Sequence, residues 1–286
     1  MNTLLFEQIL DIPEKKIGEW EVKHKIVPKG NKLTIVSLRD AIFSGKKQQS
    51  AILDFPLRLH FLHENGNTWM SDTPQEVEGQ KEVVEKCKGH VLIGGLGLGW
   101  IAKMLDRKPD VKSIVVVEKE KAVIDLVWKH LKLEKSTIVH DDLFEYLKKT
   151  NNKFSWAYYD IWAPTGEDVL YTHIRPLKTL SKGKVAMNRI LCWAEETMLG
   201  QMRMNLFTTV QTMEDEKFGI LSLSDEVFHH HYRFSRTTWA FKNWVRQVKP
   251  NKEKASEMAE HYCSTYTDYE QWSYVWGAWE KRSNDE

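Results

Sequence analysis

Val91-Leu92-Ile93-Gly94-Gly95-Leu96-Gly97-Leu98-Gly99-Trp100 is the stretch whose reading decides the fold. Its first three residues are apolar and uncharged, as in a strand buried on both faces of a parallel sheet. Four glycines come next within six residues, and Ile101 to Leu105 resume an apolar pattern compatible with a helix. Strand, glycine turn and helix in that order present backbone N–H groups and a positive helix end to a ligand. Glycine suits such a loop because a Cβ would block close approach of a ligand and forbid some of the dihedrals. A glycine-rich turn that merely packs is the plainer reading, and the residues downstream weigh against it.

Past the loop, strand and helix patterns alternate, which is the signature of a doubly wound α/β sheet. Ile114 to Glu118 reads as a buried strand ending on an acid, and Ala122 to Leu131 as an amphipathic helix. Thr137-Ile138-Val139 is the next strand, running into His140-Asp141-Asp142, with a helical face at Leu143, Phe144 and Leu147. Phe154 to Tyr159 form a fourth strand ending on Asp160, and Val169 to Leu180 a helix. Lys184 to Met187 is expected as a fifth strand, and Asn205–Thr212 with Phe218–Leu223 as a closing antiparallel hairpin.

Upstream, residues 1–74 read as a small β-rich segment. Leu33–Leu38, Ala51–Phe55 and Leu57–Leu62 are strand candidates, and Glu64-Asn65-Gly66-Asn67 is a hairpin turn into Thr68-Trp69-Met70. Asp72-Thr73-Pro74 opens a helix running to Cys87, with a capping side chain and proline at its start.

Three acids succeed the glycine loop, each at or just past the C-terminal end of an expected strand: Glu118, Asp142 and Asp160. Ligands of open α/β sheets bind outside those ends. Glu118 stands 19 residues beyond Gly99, about the distance at which an acid meets ribose hydroxyls. A carboxylate accepts both hydrogens of a cis-diol, and Asp142 could reach the exocyclic amine of an adenine. Singly each acid is an ordinary solvated strand end; along one βαβαβ path they reinforce one another. A nicotinamide dinucleotide site stays open, because Gly97-Leu98-Gly99-Trp100-Ile101-Ala102 also fits G-x-G-x-x-A.

Residues 90–190 resemble the class I S-adenosylmethionine-dependent methyltransferase fold, most closely its spermidine synthase (aminopropyltransferase) branch. Val91 to Gly97 is similar to that branch's V-L-x-I-G-G-G-x-G, Val116 to Glu120 to its V-E-I-D, and His140 to Leu143 to its adenine-contacting strand end. Asp160-Ile161-Trp162-Ala163-Pro164-Thr165-Gly166 stands where the branch has D-S-S-D-P-x-G, Leu170-Tyr171 at its L-Y, and Leu180 to Gly183 at its L-x-x-G-G. Trp69 to Pro74 also resembles a segment of uncharacterised phage and bacterial methyltransferase-like proteins. Two departures bear on the acceptor: Ala163 replaces the motif's second Asp, and the Y-H-E segment ahead of the loop is missing.

The resemblance implies an α/β fold with a Rossmann-like methyltransferase sheet. With the element pattern this places the sheet domain at 75–225. The residues alone give the β segment at 1–74 before it and an aromatic-rich helical extension at 226–286 after it, where no resemblance reaches. It implies a transferase using S-adenosylmethionine, or its decarboxylated form, on an acceptor no motif names. Methyl transfer is the favoured reading. Aminopropyl transfer, an NAD(P)-dependent oxidoreductase and a non-catalytic nucleoside-binding protein are the alternatives. Gly94, Gly95, Gly97, Gly99, Glu118, Asp142 and Leu143 would hold the cofactor, Asp160 would act at the reacting centre, and Asp72, Trp162 and Pro164 would wall the acceptor pocket. Asp160 is expected to orient the nucleophile, and to serve as a base only where burial raises its pKa.

Charged residues make up 28% of the 286, with a formal net charge of +1, so the whole chain argues for neither a nucleic-acid nor a membrane partner. No apolar run approaches the roughly 20 residues of a membrane helix, and Met1 to Leu10 lacks the charge pattern of a signal peptide. Cys87, Cys192 and Cys263 are scattered without CxxC spacing, which suits reduced thiols in a cytoplasmic setting and no zinc site. His229-His230-His231, taken as strand, would point to alternating faces, and no metal is expected there. Residues 232–254 are basic and carry Trp239, Phe241 and Trp244, a pattern that suits either a nucleic-acid contact or a solvated helix with its rings in the core. The aromatic stripe from Tyr262 to Trp279 is expected to be core or homodimer packing.

Overall fold

In the computed structural model, which describes residues 5–163, 166–215, 219–232 and 236–264, the chain divides into two compact units. One comprises Met1–Ala163 with Pro176–Ala194, the other Pro164–Arg175 with Glu195–Glu286. The N-terminal β segment therefore shares a unit with the parallel sheet.

The first unit begins with β1 (Lys15–Ile17), β2 (Trp20–Val27), β3 (Lys32–Val36), α1 (Leu38–Ser44), β4 (Gln49–Ile52), β5 (Leu57–Glu64) and β6 (Asn67–Ser71). Strands β1, β2, β5 and β6 form an antiparallel sheet in that order, and β3 pairs with β4 alone. The expected turn joins β5 to β6: Asn65 and Gly66 both take positive φ, 49° and 80°, as a tight hairpin requires. Strand β2 was not expected from sequence: after Trp20 and Val22 its inner-face apolar run gives way to half-buried His24 and exposed Ile26, which weakens the alternation. Helix α2 (Pro74–Lys86) starts as expected, with Pro74 in its first turn and the Thr73 hydroxyl accepting the Glu76 N–H at 3.5 Å.

The main sheet comes next: β7 (Gly89–Gly94), α3 (Trp100–Asp106), β8 (Val111–Glu118), α4 (Lys121–Leu131), β9 (Ser136–His140), α5 (Leu143–Lys149), β10 (Trp156–Tyr159) and β11 (Ile190–Cys192). Its strands run parallel in the order β11-β10-β7-β8-β9. Val91, Leu92 and Ile93 lie at its centre, buried on both faces as their unbroken apolar run demands. Edge strand β9 has no fully buried residue, which is why only three of its residues carried a strand signal.

Beyond β10 come α6 (Glu167–Val169), a π-helical turn at Leu170–Ile174, α7 (Arg175–Leu180), α8 (Glu195–Thr212), α9 (Asp225–Tyr232), α10 (Arg236–Val248) and α11 (Lys252–Ser264). Three expectations need correction. The fifth strand is Ile190–Cys192 and not 184–187: Lys184 and Val185 both bond back to the Ser181 carbonyl, closing a turn, and only Ile190 reaches register with Ala157. The 205–212 hairpin arm is the end of helix α8, where Met198, Met202, Leu206, Thr209 and Val210 recur at helical spacing on the buried side. Burial of that stripe overrides the strand propensity of Phe207-Thr208-Thr209-Val210. The other arm holds a single 3₁₀ turn at Ile220–Ser222, and Phe218 lies outside the described residues. His229-His230-His231 sit on helix α9 rather than a strand, and the Trp239 indole N–H donates to His229 Nδ1 at 3.3 Å.

In the tail, Trp239 and Phe241 are buried. Arg246 is paired with Asp225 and Lys252 with Glu214. Of the aromatic stripe, Tyr262 is buried on α11, and Tyr266 to Trp279 lie outside the described residues. Among the described residues, no helix is long and apolar enough to cross a membrane.

Candidate active site

The register of the parallel strands lines up one rim. Gly94 pairs with Val117 on one side and Tyr159 on the other, and Glu118 pairs with His140. Gly95, Glu118 and Asp160 are thus the next residues out of three neighbouring strands. Backbone bonds join them: Gly95 N–H donates to Val117 O at 2.8 Å and Asp160 N–H to Gly94 O at 2.9 Å. Asp142 stands one strand further along, at the head of α5.

Each glycine of the loop faces a specific neighbour. A Cβ on Gly94 would run into Leu143, one on Gly95 into the Asp160 carbonyl, one on Gly97 into the Met70 sulfur, and one on Gly99 into Leu131. Gly95 also takes a φ of 93°, which a side chain would resist. Packing therefore explains the glycines as fully as ligand approach does. The expectation that Leu143 belongs to the site becomes a contact between its side chain and Gly94.

Glu118 turns its carboxylate back onto the loop. One oxygen accepts the Leu96 N–H at 2.8 Å, the other the Glu120 N–H at 2.7 Å. Burial raises its pKa, and those two N–H donors work against the rise. A carboxylate has about four lone-pair sites, more than these two donors fill, so it can accept further hydroxyls. Asp142 caps α5, its Oδ1 accepting from Phe144 N at 2.9 Å and Glu145 N at 3.3 Å. An oxygen not engaged in the cap can accept from an exocyclic amine. The residues present fit an adenosine at these two positions.

Asp160 lies partly buried beside the loop. The Tyr158 hydroxyl donates to its Oδ2 at 3.2 Å. Loss of solvent, then the negative charge of Glu76 on α2, push the Asp160 carboxyl up to about 7, with the Tyr158 bond opposing the shift. Burial and the neighbouring Asp160 hold the Tyr158 hydroxyl well above its ordinary value, so it stays a donor. Glu76 was missed from sequence. Its one signal was its place in the first turn after the Thr73 cap, which aims an acid at whatever lies before that helix.

The expected pocket residues fare differently. Trp162 is buried. Pro164 lies outside the described residues. Asp72 is tied up elsewhere: its oxygens accept the His60 backbone N–H at 2.6 Å and meet His60 Nδ1 at 2.7 Å, with the side chain only 8% exposed. Those bonds make it an anchor across the β5–β6 hairpin. Among the described residues, no group of three or more His, Cys, Asp or Glu is placed to hold a metal ion.

A five-stranded parallel sheet ordered 3-2-1-4-5, with the glycine loop after its first strand and an acid ending its second, decides the architecture. The fold is a Rossmann-like, doubly wound α/β fold. No family model matches the sequence, and no curated protein does. Solved structures do match. One is a spermidine synthase in complex with the transition state analogue AdoDATO, at 13% identity and a TM-score of 0.37, covering 54% of this chain and 61% of that one. The spermidine synthase from Thermotoga maritima gives 12% and 0.35, over 54% and 59%. A precorrin 8w decarboxylase from Methanobacterium thermoautotrophicum gives 17% and 0.29, over 38% and 56%. The chain thus spans about three fifths of the length of the two synthases.

Proposed function

We propose that this chain is an S-adenosylmethionine-dependent methyltransferase whose acceptor is oriented and deprotonated at Asp160. The observation that carries the reading is the single rim on which the glycine loop, Glu118, Asp142 and Asp160 stand at successive strand ends. When bound, the cofactor supplies a carbon attached to a cationic sulfur, open to in-line displacement. Glu118 holds ribose hydroxyls with its remaining lone pairs, and Asp142 accepts from the adenine amine. Asp160, at about 7, is close to half ionised at neutral pH and so can take a proton that an ordinary aspartate would not. Orienting the nucleophile is the larger part of the task, since near-attack placement can supply roughly 7–11 kcal/mol of a barrier.

Aminopropyl transfer from decarboxylated S-adenosylmethionine is the second reading, and Glu76 favours it. Its charge bears on Asp160 and gives the acceptor side a second carboxyl, where the motif itself offers only Ala163. Mass spectrometry of an amine library incubated with each donor separates the two by the mass added.

Titration calorimetry tests the shared core of both readings. S-Adenosylhomocysteine should bind in the micromolar range and NAD should not. Glu118→Ala should weaken the former by about 1.5–3 kcal/mol, the worth of a hydrogen bond to a charged group, with the mutant's melting curve checked for loop damage. Unchanged affinity in that mutant, or a preference for NAD, overturns the assignment.

A further inference from the structure

One side chain from the antiparallel sheet reaches the glycine loop. Met70 Sδ accepts the Leu98 N–H at 3.1 Å, and the same sulfur occupies the space where a Cβ on Gly97 would stand. Gly97 holds a φ of 51°, so its backbone already favours glycine there. The loop is shaped around a thioether that another sheet of the same unit supplies.

The backbone around Met70 is firmly set. In the β5–β6 pairing Leu62 faces Met70 and His63 faces Thr68, so Trp69 is an extra, bulged residue. A bulge re-aims the side chains beside it, and the Trp69 ring packs edge-on against Trp20 at 5.5 Å. On the other side, Asp72 is fixed to His60 through both carboxylate oxygens. Ser71 donates to Thr73, the residue that caps α2. The strand end is pinned, yet the Met70 side chain is unbranched and flexible, and its sulfur is a weak acceptor.

We propose that Met70 is a displaceable gate on the donor site, holding the Leu98 N–H until a carboxylate-bearing adenosyl ligand takes that donor in its place. The inference rests on the donor reading above. A hydrogen bond to an ionised acceptor is roughly twice as strong as one between neutral groups, so the exchange runs toward the ligand. The gate thereby selects among donors: S-adenosylmethionine carries the carboxylate, and its decarboxylated form does not. While closed, it lowers apparent affinity by the fraction of molecules in which it is open.

The test is calorimetry on the full chain, wild type against Met70→Ala and Met70→Leu, with two probes. S-Adenosylhomocysteine has the amino-acid carboxylate, and methylthioadenosine lacks it. A gate closed about ten times in eleven predicts that Met70→Ala binds S-adenosylhomocysteine about tenfold tighter. Met70→Leu, which fills the space without an acceptor, should move the same way by less, and methylthioadenosine should keep its wild-type affinity throughout. An equal change for both probes makes Met70 a shaper of space and overturns the gate. Unchanged or weaker S-adenosylhomocysteine binding in the variants overturns it too, and leaves the donor reading standing because the wild type binds. Absence of binding by every form removes both. Should Met70→Ala fail to fold by circular dichroism, the Met70→Leu comparison decides alone.

Discussion

Asp160 shows how one residue's surroundings set both its chemistry and its cost. Its carboxyl sits at about 7 against an ordinary 3.8, because it has lost solvent and faces Glu76. The folded chain therefore binds a proton that the unfolded chain releases, and the favourable contribution is complete below about pH 4. It fades as pH rises through 7, where the native carboxyl finally ionises. Asp160→Asn removes the ionisation and keeps the shape. At pH 8 it should stabilise the protein by on the order of 1–2 kcal/mol, after discounting for screening of a partly exposed group. For a protein of this size that is roughly 2–8 °C in Tm; at pH 4 the mutant and wild type should melt together. Turnover should follow the opposite course in the wild type, rising through pH 7 as the base is unmasked, and should be lost in the mutant. A melting difference independent of pH would place the Asp160 shift elsewhere.

At the scale of the element, α5 shows one side chain serving two ends. Asp142 follows β9 and caps α5 through one of its oxygens. Asp142→Ala should cost about 1 kcal/mol of stability through the lost cap, whereas Asp142→Ser, a cap of similar quality, should retain it. Both should weaken adenosine binding if the second oxygen meets the base; calorimetry paired with urea melts distinguishes the roles, and full affinity in the serine variant confines Asp142 to capping. Strands β7, β8 and β10 were legible in the sequence because burial on both faces leaves an unbroken apolar run, and the acids Glu118 and Asp160 mark where two of them stop. Asp142 was placed at the right strand end, but a cap and a ligand acid look alike in one dimension. Helix α8 was not legible: Phe207 to Val210 favours a strand locally, and only its packing along Met198, Met202 and Leu206 makes it helical. Met70 and Glu76 were invisible as site residues, since what brings them to the loop and to Asp160 is the β5–β6 bulge and the Thr73 cap. The Asp72 bond to His60 was equally invisible, because its partner lies across the hairpin.

At the scale of the molecule, the second unit is assembled from two stretches of chain, 164–175 and 195–286, and one buried carboxylate joins them. Glu167, 7% exposed, accepts the N–H groups of Thr237 and Thr238 at 2.7 and 3.2 Å and the Thr238 hydroxyl at 2.9 Å. Those are first-turn donors of α10, which have no partner within the helix. Next to it, the Tyr171 hydroxyl bonds to Thr237 and to Met202 of α8, so α8 and α10 are both tied to the inserted stretch. Lys242 on α10 feels the same carboxylate: burial lowers its pKa to about 8, and Glu167 opposes the fall. Glu167→Ala orphans two buried N–H donors and should cost about 2–4 kcal/mol. Because the first unit has a core of its own, the loss should stay local. Hydrogen exchange read by mass spectrometry should speed up in peptides of α8, α10 and α11 and remain slow in β7, β8 and β10. Thr238→Val, which removes only the hydroxyl bond, should show the same pattern at smaller amplitude. Equal acceleration in the parallel sheet would mean that the two units unfold as one, and that Glu167 supports the whole chain rather than the unit it closes.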